Sequence, residues 1–166
     1  MNGSAVIGLG NPLMGDDGFG LAALARLRDE WTLENVELAD GGTWGMSLLP
    51  LVEDAQRLVL LDAIAAGMSP GEVVVLERDQ LPIYLSRKLS PHQIDMRDVL
   101  AAAEWRGKLP LETVAIGAQP QLVEMGIGLS PAVDRAVDAV VGVVIERLLK
   151  WGHRCERRVQ VVACTK

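Results

Sequence analysis

Short continuous apolar runs and longer periodic ones take turns along this chain. Ser4–Leu9 (SAVIGL), Val36–Asp40, Arg57–Asp62 (RLVLLD), Gly71–Glu77 (GEVVVLE) and Leu111–Gly117 (LETVAIG) are brief and rich in aliphatic side chains. Runs of that length bounded by turn residues read as buried strands. Between them the spacing becomes helical. From Asp16 to about Trp31 the positions Phe19, Ala22, Ala23, Arg26 (through its stem) and Leu27 recur at i, i+3, i+4 and i+7. Trp44 to Ala55 also reads as a helix. Two more begin at Ser90-Pro91 and Ser130-Pro131, where a capping hydroxyl precedes a proline at the first helical position. Gln93, three residues after Ser90, completes a capping-box pattern. These helices are expected over Pro91 to Trp105 and Pro131 to about Trp151. In the second, Ala132, Val133, Ala136, Val137, Val140, Val144 and Leu148 form a wide apolar stripe.

This alternation predicts an α/β three-layer sandwich, with a mostly parallel five-stranded sheet and helices on both faces. The 166 residues suit one domain. It is assigned to residues 1–150, with 151–166 as a basic, solvated tail in which Arg154, Arg157, Arg158 and Lys166, next to Lys150, surround Glu156.

Composition narrows the function. Apolar residues make up 49% of the chain and aromatics only 4%, so the chain can fold and its core must be aliphatic. The net charge of −6, with no basic stripe before residue 150, argues against a nucleic-acid partner. No apolar run is long enough for a membrane span, and the first residues lack a signal-peptide pattern. The two cysteines, Cys155 and Cys164, form no CxxC pair. A cytoplasmic protein with reduced thiols is the expectation.

In a sheet of this kind, sites form at the carboxyl ends of the strands. Four loci fall there: Asp16-Asp17, Asp40, Asp62 and His92. Carboxylates with one imidazole make an oxygen–nitrogen ligand set for a divalent transition metal such as nickel or zinc. The glycine-rich turn Gly8-Leu9-Gly10 does not read as a phosphate loop. Leu13 stands where G-x-G-x-x-G needs its third glycine, and two aspartates repel an anion from the helix start. Helix capping explains one aspartate of that pair but not both. Asp62 ends the most hydrophobic strand, so its carboxylate must be hydrogen-bonded, paired or metal-bound. At a helix start, His92 is held toward the neutral form that a metal requires. No G-x-S-x-G elbow is present, and neither cysteine belongs to a site-like loop.

The stretch Gly8-Leu9-Gly10-Asn11-Pro12-Leu13-Met14-Gly15-Asp16-Asp17-Gly18-Phe19-Gly20 resembles the N-terminal signature of the hydrogenase maturation endopeptidases. Asp40-Gly41-Gly42-Thr43, Leu60-Leu61-Asp62-Ala63 and Ser90-Pro91-His92 resemble later blocks of that family. So do Gly117-Ala118-Gln119-Pro120 and Leu129-Ser130-Pro131. The likeness spans residues 4–150 in order. It implies a metal-dependent endopeptidase that removes the C-terminal extension of a nickel-loaded nickel–iron hydrogenase large-subunit precursor. It also implies metal ligands at Asp17, Asp62 and His92, which would serve catalysis as well. The nickel would be supplied by the substrate, other divalent metals being able to substitute, and the enzyme would be a monomer. Many members carry Glu where this chain has Asp17. Asp16 and Asp40 would order loops or support the ligands, and Gly41 and Gly42 would let the chain pass close to the site. Three other readings compete. Gly8–Pro12 also looks like the opening of peptidyl-tRNA hydrolases, but the T-R-H-N-x-G segment is missing. A nucleotide-binding domain would need a phosphate site that the two aspartates oppose. A metal-dependent chaperone for the same precursor would use the same ligands without cutting.

Overall fold

The computed structural model describes residues 3–42, 45–87 and 96–159. In chain order the elements are β1 (Ser4–Leu9), α1 (Phe19–Glu30), β2 (Trp31–Leu33), β3 (Val36–Gly42), α2 (Leu49–Asp54) and β4 (Arg57–Ala63). They continue with β5 (Val73–Glu77), α3 (Leu81–Arg87), α4 (Met96–Trp105), β6 (Glu112–Ala118), α5 (Pro131–Lys150) and β7 (Cys155–Arg157). The main sheet has five strands in the order β3-β1-β4-β6-β5. All its pairings are parallel except that of β5 with β6. The expected α/β three-layer sandwich is therefore the fold.

Strand alternation sorts the core into two layers. Val6, Val59, Leu61, Ala63, Val114 and Ile116 face one side, where Phe19, Ala23, Leu24 and Leu27 of α1 and the valine stripe of α5 cover them. Ala5, Ile7, Leu9, Leu58 and Leu60 face the other, against Val52 of α2, Leu81 and Leu85 of α3, and Val99 and Leu100 of α4. Arg26 lies at the seam of α1 and α5, where it pairs with Asp138 and, at 3.5 Å, with Glu30.

The chain leaves β1 toward β3 on one side, then crosses to β4 on the other. Strand order thus reverses between β1 and β4, the position at which a doubly wound sheet opens a crevice beyond its strand ends. Helix α1 closes tightly on this point. A Cβ at Gly20 would stand 2.1 Å from the Leu61 carbonyl oxygen and 2.4 Å from that of Leu9. Glycine there lets the helix start rest directly on the ends of β1 and β4.

Two features differ from the sequence expectation. Residues 151–159, read as solvated tail, return to the body. Strand β7 pairs antiparallel with β2, Arg157 binds Glu30 at 2.9 Å, and His153 Nε2 lies 2.7 Å from the buried Ser4 hydroxyl. Strands of three residues with charged outward positions carry no readable periodicity. Helix α3 was also not foreseen. The expected helix over Pro91–Trp105 is described from Met96 onward; Ser90, Pro91, His92 and Gln93 lie outside the described residues.

Because two backbone carbonyls crowd position 20, Gly20→Ala should lower unfolding stability by about 3 kcal/mol or more. Urea denaturation checks this, and a loss under about 1 kcal/mol would show that the helix can shift at little cost.

Candidate active site

The loop after β1 is folded back on itself by Gly10, at φ +113°, where a Cβ would lie 1.8 Å from the Asp17 carbonyl oxygen. The Asn11 side-chain oxygen accepts the Leu13 N–H at 2.9 Å, an Asx turn that sets the loop's return. The Asn11 N–H in turn donates to Asp17 Oδ2 at 2.9 Å. Asp17 is therefore partly buried and oriented by its own loop. Neither aspartate caps α1; the N-cap is Gly18, without a side-chain hydrogen bond.

Asp16 is fully buried. Its Oδ2 accepts the N–H groups of Gln121 and Leu122 at 2.9 and 2.8 Å and the Ser130 hydroxyl at 2.9 Å, and its Oδ1 accepts the Ser130 N–H at 2.7 Å. Burial alone would raise its pKa. The bonds from Ser130, Leu122 and Gln121 outweigh that and hold it below the ordinary value of 3.8. This also corrects the capping role expected for Ser130, whose hydroxyl turns to Asp16 and makes no cap bond to α5. A buried carboxylate is a strong acceptor for the hydroxyl's proton.

Asp62 is buried near the end of β4. It shares strand parity with Leu58 and Leu60, so it faces the layer that contains α3. There Tyr84 donates its hydroxyl to Asp62 Oδ2 at 2.7 Å, with the Ala63 carbonyl at 3.2 Å from the same hydroxyl. Burial first, then the charge and hydrogen bond of Asp62, then the charge of Asp17, push the Tyr84 hydroxyl far above the usual phenol range. Both aspartates thus act on one hydroxyl. Tyr84 was not singled out in the sequence; only its tertiary position marks it.

Asp40 is exposed at the end of β3, opposite Gly8, and Gly41 beside it packs onto β1, where a Cβ would meet Ile7 Cγ2 at 2.6 Å. Gln119, just beyond β6, accepts the N–H groups of Ala66 and Met68 at 2.8 and 3.2 Å and so ties down the turn after β4. His92 lies outside the described residues. The geometry therefore places Asp17 and Asp62 beyond or near the ends of β1 and β4, beside the switch point, with Asp16 clamping the loop that bears Asp17.

An α/β protein with aspartates at the carboxyl ends of the strands beside its switch point is the class this geometry defines. Comparison with known proteins then gives the family. The profile described as hydrogenase maturation protease matches residues 22–147. A hydrogenase expression/formation protein, HupD, of Rhodobacter capsulatus is 38% identical over 150 residues, covering 89% of this chain and 71% of that protein. The hydrogenase 2 maturation protease of Escherichia coli is 33% identical over 149 residues, covering 89% and 91%. The solved structure of the hydrogenase maturating endopeptidase HybD from Escherichia coli superposes with a TM-score of 0.88 at 32% identity, covering 95% of this chain and 98% of that one. The chain belongs to the hydrogenase maturation protease family, and on that footing it is a protease.

Two outcomes test the geometry. An amide at position 16 cannot accept at both ends, so Asp16→Asn should cost about 3 kcal/mol at neutral pH. Because the folded pKa is depressed, this contribution is present above 3.8 and is lost as pH falls through the lower folded value. The gap between wild type and variant in urea unfolding should therefore narrow below about pH 4. Tyr84→Phe keeps the ring but removes the donor to Asp62, for an expected loss of about 1–3 kcal/mol. An unchanged unfolding midpoint would mean that the bond contributes nothing.

Proposed function

We propose that this protease removes the C-terminal extension of a nickel–iron hydrogenase large-subunit precursor, and that it recognises the nickel that the precursor carries. Asp17, Asp62 and His92 supply the ligands. The observation that supports this reading is the placement of Asp17, in the loop after β1, and Asp62, near the end of β4, on either side of the strand-order reversal, within a chain of the hydrogenase maturation protease family. Two carboxylates at one rim favour a divalent cation over an anionic or apolar ligand. Asp62 is almost wholly buried, so an ion that it holds must enter the crevice rather than rest on the surface.

Coordination of the substrate's own metal fixes the scissile peptide over the rim, so selection need not depend on a deep side-chain pocket. The bound cation can polarise the carbonyl or activate water for attack on it. Water adds to the peptide bond, and the extension leaves with a new amino terminus. The Tyr84 hydroxyl holds Asp62 Oδ2 in place, Asn11 holds Asp17, and Asp16 holds the loop that bears it. No helix among the described residues is long and apolar enough to cross a membrane.

The test mixes the purified chain with nickel-loaded precursor and reads the substrate's mass. Loss of the extension is expected, with nickel-free precursor left uncut. Removing an outer-shell partner at a metal site costs about 10–100-fold. Asp17→Asn, Asp62→Asn and His92→Gln should therefore each slow cleavage by more than about a hundredfold. Lowering the pH should weaken recognition as the ligands protonate. Three variants that cleave normally would remove the site assignment. Stable binding without a mass change would make the protein a chaperone instead.

A further inference from the structure

Beside the crevice stands a surface that the chemistry just described does not use. Leu13, Leu122, Val123, Met125 and Ile127 are 61%, 51%, 52%, 88% and 91% exposed. They come from two segments more than a hundred residues apart, zipped together by their backbones. The Gly15 N–H donates to Gly126 O at 2.9 Å, the Gly126 N–H to Leu13 O at 2.9 Å, and the Asp16 N–H to Leu122 O at 3.0 Å. From below, the buried Asp16 carboxylate grips Gln121, Leu122 and Ser130. The usual order of a loop is inverted here. Polar backbone and a buried charge hold the ridge in shape, while its large apolar side chains point into water. Exposed apolar clusters on an ordered scaffold mark interaction sites.

We propose that this ridge is the docking surface for the substrate protein, and that its occupant is an apolar face of the precursor next to the segment to be cut. The inference rests on the processing reading above and names the partner surface of that same site. Its ground is continuity. Leu13 and Asp17 belong to one loop, and Asp16, adjacent to Asp17, is the residue that holds the ridge. A folded protein whose peptide bond reaches Asp17 comes beside these side chains, which are fixed to the loop that bears it. Met125, flexible and polarizable, can adapt to a partner's contour. Glu124 stands within the ridge and supplies a polar edge like that of protein interfaces.

The test compares wild type, the double variant Met125→Ser with Ile127→Ser, and Leu111→Ser. Leu111 is 82% exposed but precedes β6 at the amino ends of the strands, away from the carboxyl ends that carry the aspartates, so its variant is the control. Cleavage of nickel-loaded precursor is followed by mass at varied concentration. The ridge variant should raise KM by about tenfold or more, with an unchanged melting temperature, while Leu111→Ser matches wild type. An unaltered KM in the ridge variant overturns the proposal, as does an equal loss in Leu111→Ser. So does sedimentation showing a wild-type dimer that the ridge variant abolishes without a change in KM, because a second copy is then the occupant. If wild type binds the precursor without cutting it, weaker binding by the ridge variant still upholds the surface, and the proteolytic reading alone fails. Absence of any binding removes both.

Discussion

A carboxylate taken wholly out of water, and received by backbone N–H groups and one hydroxyl, is the constraint on which the rim depends. Asp16 gathers three residues more than a hundred positions away in the chain. Burial makes each of those bonds expensive to leave unmade, and the charge makes each of them stronger than a neutral pair. The segment from Gln121 to Ser130 is therefore fixed relative to the loop after β1. Three things inherit their position from it: the direction in which Asp17 leaves that loop, the outward ridge of Leu122 to Ile127, and the start of α5.

The second constraint is the contact of α1 with the sheet. Without a side chain at Gly20, the helix start reaches the carbonyls of Leu9 and Leu61. That brings the residues just before it, Asp16 and Asp17, down to the strand ends instead of leaving them on an outlying turn. Strand parity does the rest. Leu61 belongs to the layer under α1 and α5, so its neighbour Asp62 necessarily faces α3 and Tyr84. One carboxylate thus comes over the sheet's edge from the helix side and the other rises from within the strand. The second of them accepts the Tyr84 hydroxyl.

Much of this was legible in the chain. The five main strands, the helices over α1, α2, α4 and α5, and the carboxyl-edge placement of Asp17 and Asp62 follow from periodicity and turn chemistry. Ser130 shows where local reasoning ends. Ser-Pro before an apolar stripe is a sound helix start, and α5 does begin at Pro131, yet the hydroxyl turns to donate to the buried Asp16 and makes no cap bond, a long-range partner that local sequence does not reveal. Tyr84 sits in LPIYLSR, a short stretch with a proline and no clear stripe, so nothing nearby in the sequence signals that it meets Asp62. The pairing of β2 with β7 escaped for a related reason. Thr32, Glu156 and Arg157 face water, and strands so short are defined by their partner more than by their own pattern.

The electrostatics of the crevice separate the work of Tyr84 from that of the carboxylates. Its hydroxyl is buried and feels the charges of Asp62 and Asp17, which together push its titration far beyond any working pH. The phenol therefore remains a neutral donor. It supplies no negative charge and removes no proton; it fixes one oxygen of Asp62. Carboxylates gathered at one rim of a sheet set up a negative potential there. The loop before α1 thus divides two tasks between adjacent residues. Asp16 spends its carboxylate on the protein's own backbone, whereas Asp17 accepts one N–H from Asn11. That division explains why the chain needs two consecutive aspartates where a helix cap would need one.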